Sequence, residues 1–203
     1  MIRLYGRADS TNVRKILWYL AELNLQFEHI PAGGSFGITD TAEYRKLNPN
    51  GLVPCLIDED LVLWESHSIL RYLNEKYADK NPFKANFNYK YETEKWLDWC
   101  LSTLTPAFRA LILHGVKLPF EARNAVAFGQ ALTELQLKLS ILDQHLSHCS
   151  YLNGAYFSIA DIAVASYYIS CKKLPLDIEF FQAFYHVEKW FALLSTRVAF
   201  PKH

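Results

Sequence analysis

The sequence predicts an α+β unit followed by an all-α helical bundle. Three observations carry that expectation. Five of the eight glycines lie before residue 52, so turns and strand ends crowd the first third of the 203 residues. Apolar residues there come in short runs between helix-spaced stretches, whereas beyond residue 86 helical spacing dominates. With 51% apolar and 21% charged residues, the chain has material for a packed core and too little charge for disorder.

Ile2–Tyr5 reads as a short strand ending at Gly6. In Thr11–Leu23, Val13, Ile16, Leu17 and Leu20 keep helical spacing while Arg14, Lys15, Tyr19 and Glu22 fall on other faces, which predicts an amphipathic helix. Gln26–Ile30 is a second strand, and Pro31–Gly37, with three glycines, is a loop. Ala42–Leu47 is a short helix closed by Asn48-Pro49-Asn50-Gly51. Val53–Ile57 and Leu61–Trp64 pair as a hairpin across Asp58–Asp60, and Ser66–Tyr77 is again helical. The order over residues 1–80 is βαβαββα.

A polar stretch, Asp79–Asn88, separates this unit from the helical one, with a linker at 81–86 and the second domain at 87–203. Phe87–Leu104 carries Trp96, Leu97, Leu101 and Leu104 on one stripe, and Pro106 bends this helix or ends its first part. Phe120–Leu146 is another long helix. Ser158–Leu174 is apolar almost all round, as a buried central helix must be. Ser158 and Asp161 have capping-box spacing, and Phe157 and Ile162 have that of a hydrophobic staple. Val187–Leu194 belongs to a final helix.

Composition also narrows the function. Lys+Arg and Asp+Glu cancel at 21 each, so the basic surplus that holds nucleic acid is missing. The longest apolar stretches fall short of the roughly 20 residues that span a bilayer, and the first residues carry no secretory pattern. Cys55, Cys100, Cys149 and Cys171 lie far apart without a Cys-x-x-Cys, which excludes a local zinc ribbon and a dithiol motif. We therefore expect a cytoplasmic protein without a metal site, with neither nucleic acid nor membrane as partner.

Four fragments then carry a resemblance: Ser10-Thr11-Asn12-Val13-Arg14-Lys15, Asn48-Pro49-Asn50-Gly51-Leu52-Val53-Pro54, Trp64-Glu65-Ser66, and Phe157-Ser158-Ile159-Ala160-Asp161. In this order and at these distances they resemble the cytosolic glutathione S-transferases, most closely the bacterial members with a Ser-x-Asn motif at the first helix. The likeness covers nearly the whole chain. It implies a thioredoxin-like N-terminal domain that binds glutathione, an all-helical domain that contributes the electrophile pocket, and a homodimer. It implies no cofactor, glutathione being a co-substrate, and a detoxifying reaction with a small hydrophobic electrophile.

Such enzymes stabilise the glutathione thiolate, and the resemblance gives that role to Ser10, with Asn12 as second polar contact. A serine hydroxyl is no base at neutral pH, but it can donate to sulfur. It also stands where a helix begins, and free N–H groups and the dipole favour an anion there. The same residues are equally good helix caps. Asp9 opposes a thiolate if it points inward. At the next corner the resemblance sets Glu65 against the γ-glutamyl ammonium and Ser66 with helix N–H groups against its carboxylate. Capping is again the alternative, and His67 beside them reads as a surface histidine. The resemblance also implies a cis peptide before Pro54, which leaves Val53 free to pair with the cysteinyl backbone. Asn50 lies toward the glycyl end, or is simply a turn asparagine, and Arg45 and Lys46 are candidate anchors for the glycyl carboxylate. Trp99, Thr103, Phe108 and Arg109, with Pro106 beside them, are candidates for the electrophile pocket, against the ordinary reading of aromatic residues as core.

Two other functions compete. Glutathione-dependent disulfide reduction needs a cysteine where Ser10 stands. A non-catalytic binding or interaction module keeps the fold without turnover. For the dimer, the helix carrying Arg71 and Tyr72 is the expected contact, with Ile69, Leu70 and Leu73 as apolar residues one domain need not bury alone.

Overall fold

The structure, a computed structural model, describes residues 1–78, 87–174 and 176–201. The linker read at 81–86 lies outside the described residues. The chain divides into two compact units, Met1–Ala85 with Val198–His203, and Asn86–Arg197.

In the first unit, β1 (Ile2–Tyr5) runs parallel to β2 (Phe27–Ile30) and antiparallel to β3 (Cys55–Asp58), which pairs antiparallel with β4 (Leu61–Trp64). The sheet order is β2-β1-β3-β4. Strand β3 starts at Cys55 rather than Val53, since Pro54 has no N–H to give the ladder. The Val53–Pro54 peptide is cis, as the resemblance implied. Helix α1 (Thr11–Glu22) and helix α3 (Ser66–Tyr77) pack together, and α2 (Ala42–Leu47) lies between β2 and β3 in sequence. Where β1 gives way to α1 the approach is close: a Cβ on Gly6 would sit 2.4 Å from Val13 Cγ2. This is the thioredoxin-like unit.

Helix α1 is less amphipathic than its spacing suggests. Val13, Ile16 and Leu20 are buried as expected, but so are Arg14, Lys15 and Tyr19. The reason is a second packing face. Tyr19 Oη donates to Asn74 Oδ1 on α3 at 2.6 Å, and Lys15 reaches Ser66 and His67 at the start of that helix. His67 is thus buried, not the surface histidine expected. Ile69, Leu70 and Leu73 are also fully buried within the chain, so they form core and leave nothing for a second subunit. At the end of β3, buried Asp58 accepts from Tyr72, Lys76 and Tyr77. Burial raises its pKa, but those three bonds outweigh it and hold the carboxyl below its ordinary range. The Phe200 ring meets Trp18 edge-on at 5.1 Å, in keeping with the grouping of the last residues with this unit.

The second unit is all helical. Helix α4 (Phe87–Trp99) passes through a turn of π-helix, Cys100–Leu104, into α5 (Thr105–Ile112). Thr105 N–H donates to Cys100 O, five residues back, just before Pro106. Proline offers no N–H and crowds the carbonyl four residues behind it, so the helix widens rather than ends. A second π turn, Leu113–Lys117, and a 3₁₀ turn, Phe120–Ala122, precede α6 (Ala125–Leu146). Helix α6 begins five residues later than expected because Asn124 caps it, its side chain accepting from Ala127 N–H.

Helix α7 (Ile159–Cys171) is buried along its whole length, as its composition predicted. Its capping box is formed: Ser158 N–H donates to Asp161 Oδ2 at 2.9 Å, and Ala160 N–H to Ser158 Oγ at 3.3 Å. The fully buried Asp161 also accepts from Leu152 N–H and from Trp190 Nε1, both at 2.9 Å, fastening the preceding loop and the last helix to α7. Burial raises this carboxyl to about 6 against the pull of those bonds. A short α8 (Ile178–Gln182) escaped the sequence reading, and α9 (Tyr185–Ser195) is held at its start by Asp143 Oδ1, which accepts from the N–H groups of His186 and Val187.

Candidate functional site

Strand register brings three distant segments to one edge of the sheet. Tyr5, the last residue of β1, faces Cys55, the first of β3, and Cys55 faces Trp64, the last of β4. The residues just beyond this row are Gly6 onward, Val53-Pro54 and Glu65-Ser66. Both helices that leave the edge, α1 and α3, start there, and neither has an acidic residue in its first turn. Their N-terminal N–H groups and positive dipole ends therefore suit an anion.

Ser10 stands at the cap of α1 and Glu65 at the cap of α3, yet neither side chain bonds the first turn of its helix. Thr41, Asn124 and Ser158 occupy the same position in other helices, and there the side chain does accept from the helix. Asp177, at the cap of α8, likewise makes no such bond. Glu65 further has φ 72° and ψ 113°, a region that costs a non-glycine residue about 1–3 kcal/mol and is concentrated at functional positions. The Asp9 side chain is largely exposed and its Oδ2 takes Arg7 Nη1 at 2.8 Å, so it is neutralised in solvent.

A buried polar cluster joins the two helix starts. Ser66 Oγ donates to Asn12 Oδ1 at 3.4 Å. Lys15 Nζ lies 3.0 Å from Asn12 Oδ1, 3.3 Å from Ser66 Oγ and 3.0 Å from His67 Nε2. The sequence places Lys15 on a face other than the apolar stripe and reads His67 as a surface residue. The spacing of Asn12 and Lys15, three apart on one helix face, was the available signal for the first; the sequence held none for His67.

The loop before β3 is braced from behind. Leu52 O accepts from Asn48 Nδ2 and from Tyr44 Oη, each at 2.7 Å. Asn50 is exposed and turns its Nδ2 onto Asn48 Oδ1 at 3.0 Å, while Val53 lies outside the ladder. Arg45 supports the same turn, bonding Pro49 O and pairing with Asp40. Asn48 and Tyr44 are the positions that hold this loop, and the sequence reading missed both roles.

In the helical unit the candidates separate. Thr103 lines a cleft of about 530 Å³ together with Ser102, Pro106 and Ala107 on the α5 side and Gln130 and Glu134 on α6. Phe108 is buried and meets Tyr167 edge-on at 5.1 Å, so it serves the core. Trp99 is half-buried against Trp96, and Arg109 is exposed. Among the described residues no group of three or more His, Cys, Asp or Glu could hold a metal ion, and no helix is long and apolar enough to cross a membrane. Cys55 is buried in β3 and that burial pushes its thiol up to about 11, so it is not an activated thiol.

Comparisons with known proteins bear on the family and the fold. Residues 4–81 match the model of the glutathione S-transferase N-terminal domain, and residues 102–197 that of the C-terminal domain. The glutathione S-transferase GstB of Escherichia coli K12 is 37% identical over 204 residues, covering 100% of this chain and 97% of that one. Glutathione S-transferase 3 of Zea mays is 30% identical over 207 residues, covering 99% and 92%. Among solved structures, the theta class glutathione S-transferase of Xanthomonas axonopodis pv. citri with glutathione bound superposes with a TM-score of 0.90 at 36% identity, covering 98% of this chain and 94% of that one.

Proposed function

The chain belongs to the glutathione S-transferase family and is a glutathione transferase, and from that premise we propose how its residues divide the work. Ser10 donates to the glutathione sulfur and Asn12 supplies the second polar contact, while the start of α1 stabilises the thiolate charge. Glu65 faces the γ-glutamyl ammonium, Ser66 and the first N–H groups of α3 face its carboxylate, and Val53, beside Pro54, pairs with the cysteinyl backbone. Asn50 stands toward the glycyl end. Residues 1–80 form the glutathione-binding domain, and the helical domain supplies the electrophile pocket, with Trp99, Thr103 and Arg109 as the residues concerned.

The observation that carries this reading is the pair of cap positions whose side chains do not cap, Ser10 and Glu65, at two helix starts tied together through Asn12 and Ser66. The thiolate that results attacks a small apolar electrophile, and a thioether forms as the leaving group departs with its bonding pair or, in an addition, as the π pair shifts onto the adjacent atom and is protonated. We further propose a homodimer, working in the cytoplasm in detoxification. With Ile69, Leu70 and Leu73 in the core, what supports the dimer is the edge strand β4, whose Leu61, Val62 and Trp64 stay partly exposed.

The test is retention on immobilised glutathione measured together with turnover of a generic aryl halide. Retention with turnover is the expected result. Retention without turnover of any electrophile class contradicts catalysis and leaves a binding module; failure to bind contradicts the reading as a whole.

A further inference from the structure

The Val53 N–H is the last amide hydrogen before β3, because Pro54 carries none. Neither it nor the Val53 carbonyl has a partner among the described residues. Its direction is set all the same. The Leu52–Val53 peptide is trans, so the Val53 N–H points opposite to the Leu52 carbonyl in one plane. That carbonyl accepts twice, from Tyr44 Oη and from Asn48 Nδ2, each at 2.7 Å, which uses both its lone pairs. Asn48 N–H donates to Tyr44 O at 2.9 Å, so the two residues stand one turn apart at the end of α2. Each is only 2% exposed, so the Leu52 carbonyl is drawn inward and the Val53 N–H is turned away from that buried side. The Asn48 amide has no freedom to flip. Its Oδ1 accepts from Asn50 N–H at 3.1 Å and from Asn50 Nδ2 at 3.0 Å, which leaves Nδ2 for Leu52. The Leu52 side chain is 65% exposed and does not hold this peptide by packing. On the other flank Val53 rests against Gly33, where an added Cβ would lie 3.4 Å from both Val53 methyls.

We propose that Tyr44 and Asn48 are positioning residues for the cysteinyl part of glutathione: two buried donors that clamp the Leu52 carbonyl and thereby aim the Val53 N–H at the cysteinyl carbonyl. Neither touches glutathione; both act through the peptide between Leu52 and Val53. The inference rests on the pairing of Val53 given above and adds what fixes its direction. An unclamped peptide here samples several orientations, and binding has to order it; the clamp removes that cost beforehand. Two donors serve one acceptor, so either alone still holds the plane, and only the loss of both frees it.

The measurement is glutathione affinity by titration calorimetry for the wild type, Tyr44→Phe, Asn48→Ala and the double variant. It is joined by the amide proton shift of Val53 in isotope-labelled protein, the electrophile KM and the unfolding midpoint. In the wild type the Val53 amide proton should move downfield when glutathione saturates the protein, as a new hydrogen bond requires. Each single variant is expected to lose about threefold in affinity, and the double variant more than the product of the two, because either donor alone still holds the carbonyl. In the double variant the downfield shift at saturation should shrink while the electrophile KM stays as in the wild type. A role confined to fold stability lowers the midpoint and leaves the shift at saturation as it was. Should Asn48→Ala fold poorly, Tyr44→Phe, which removes only a hydroxyl, carries the test: weaker binding with a smaller shift is expected, and wild-type values of both overturn the clamp. A double loss no larger than the product, or an unaltered shift in the double variant, also overturns it. A wild type that binds glutathione without moving the Val53 amide overturns the pairing of Val53 and the clamp with it, whereas a wild type that does not bind glutathione refutes the underlying reading itself.

Discussion

Glu65 bears two demands that pull in opposite directions. Its backbone sits at φ 72°, where glycine is at ease and glutamate is not, and its carboxylate makes no hydrogen bond to the first turn of the helix it precedes. If the charge is there for the γ-glutamyl ammonium, Glu65→Gln should cost on the order of 1.5–3 kcal/mol in glutathione affinity, because it removes a charge-assisted bond, and should slow the chemical step much less. Glu65→Gly should go further: it relieves the backbone and raises fold stability by about 1 kcal/mol, while glutathione binding falls at least as far as in Glu65→Gln. Calorimetric titration and a thermal melt of the two variants read both effects. Affinity within twofold of wild type in Glu65→Gln contradicts the assignment, and a lower melting point in Glu65→Gly contradicts the strain.

At the scale of the element, α7 is the piece on which the helical unit is hung, and Asp161 is its fastening. Asp161→Ala leaves the N–H groups of Leu152 and Ser158 and the indole N–H of Trp190 buried without this acceptor, and each such donor costs about 1–3 kcal/mol. A loss above about 3 kcal/mol by urea unfolding is expected. The pH dependence has a definite sign. The carboxyl titrates near 3.8 in the unfolded chain and near 6 in the fold, so between those values the folded protein holds the extra proton. Through this residue, stability rises by about 1 kcal/mol on going from pH 7 to pH 5 and falls again as the pH is raised. Asp58, held below its ordinary range, contributes the opposite slope, with its stability present above the unfolded value and lost as acid protonates it. Unfolding of wild type and Asp161→Asn at pH 5 and pH 7 isolates the first term; an equal pH dependence in both proteins contradicts it.

What the sequence discloses at this scale follows from what repeats in it. The strands, the helices from α1 to α7 and the capping box of α7 rest on spacing and on cap residues, and these are legible. Helix α6 starts at Ala125 rather than Phe120 because the cap at Asn124 outweighs an apolar residue at the boundary, and α8 is too short to establish a period. Burial of Lys15 and His67 cannot be read from periodicity at all, since it depends on two helices fifty residues apart meeting at their first turns. The candidate site residues at helix starts stand out in the sequence through the family resemblance, with cap chemistry as the competing reading. Asn48 and Tyr44 do not, because a long-range brace on one carbonyl leaves no local pattern.

For the molecule as a whole, the neutral balance of charge offers no strong repulsion to self-association, and β4 keeps apolar side chains partly exposed at the edge of the sheet. A stable homodimer of this kind buries about 2,000 Å² or more. Sedimentation at micromolar concentration should give twice the 23.5 kDa chain mass, and a clean monomer there contradicts the dimer. The central claim concerns the thiolate. Lowering a thiol from about 8.5 to about 6.5 raises its ionised share at pH 7 from roughly 3% to roughly 75%, at about 2.7 kcal/mol of stabilisation. Because nucleophilicity falls with pKa, the net gain in rate is only about three- to fourfold, and placement of the electrophile supplies the larger share. The decisive measurement is therefore the thiolate absorbance of bound glutathione titrated against pH, in wild type and in Ser10→Ala. The account predicts a midpoint near 6.5 that moves up toward 8.5 when the hydroxyl is removed; a midpoint that is the same in both proteins contradicts it.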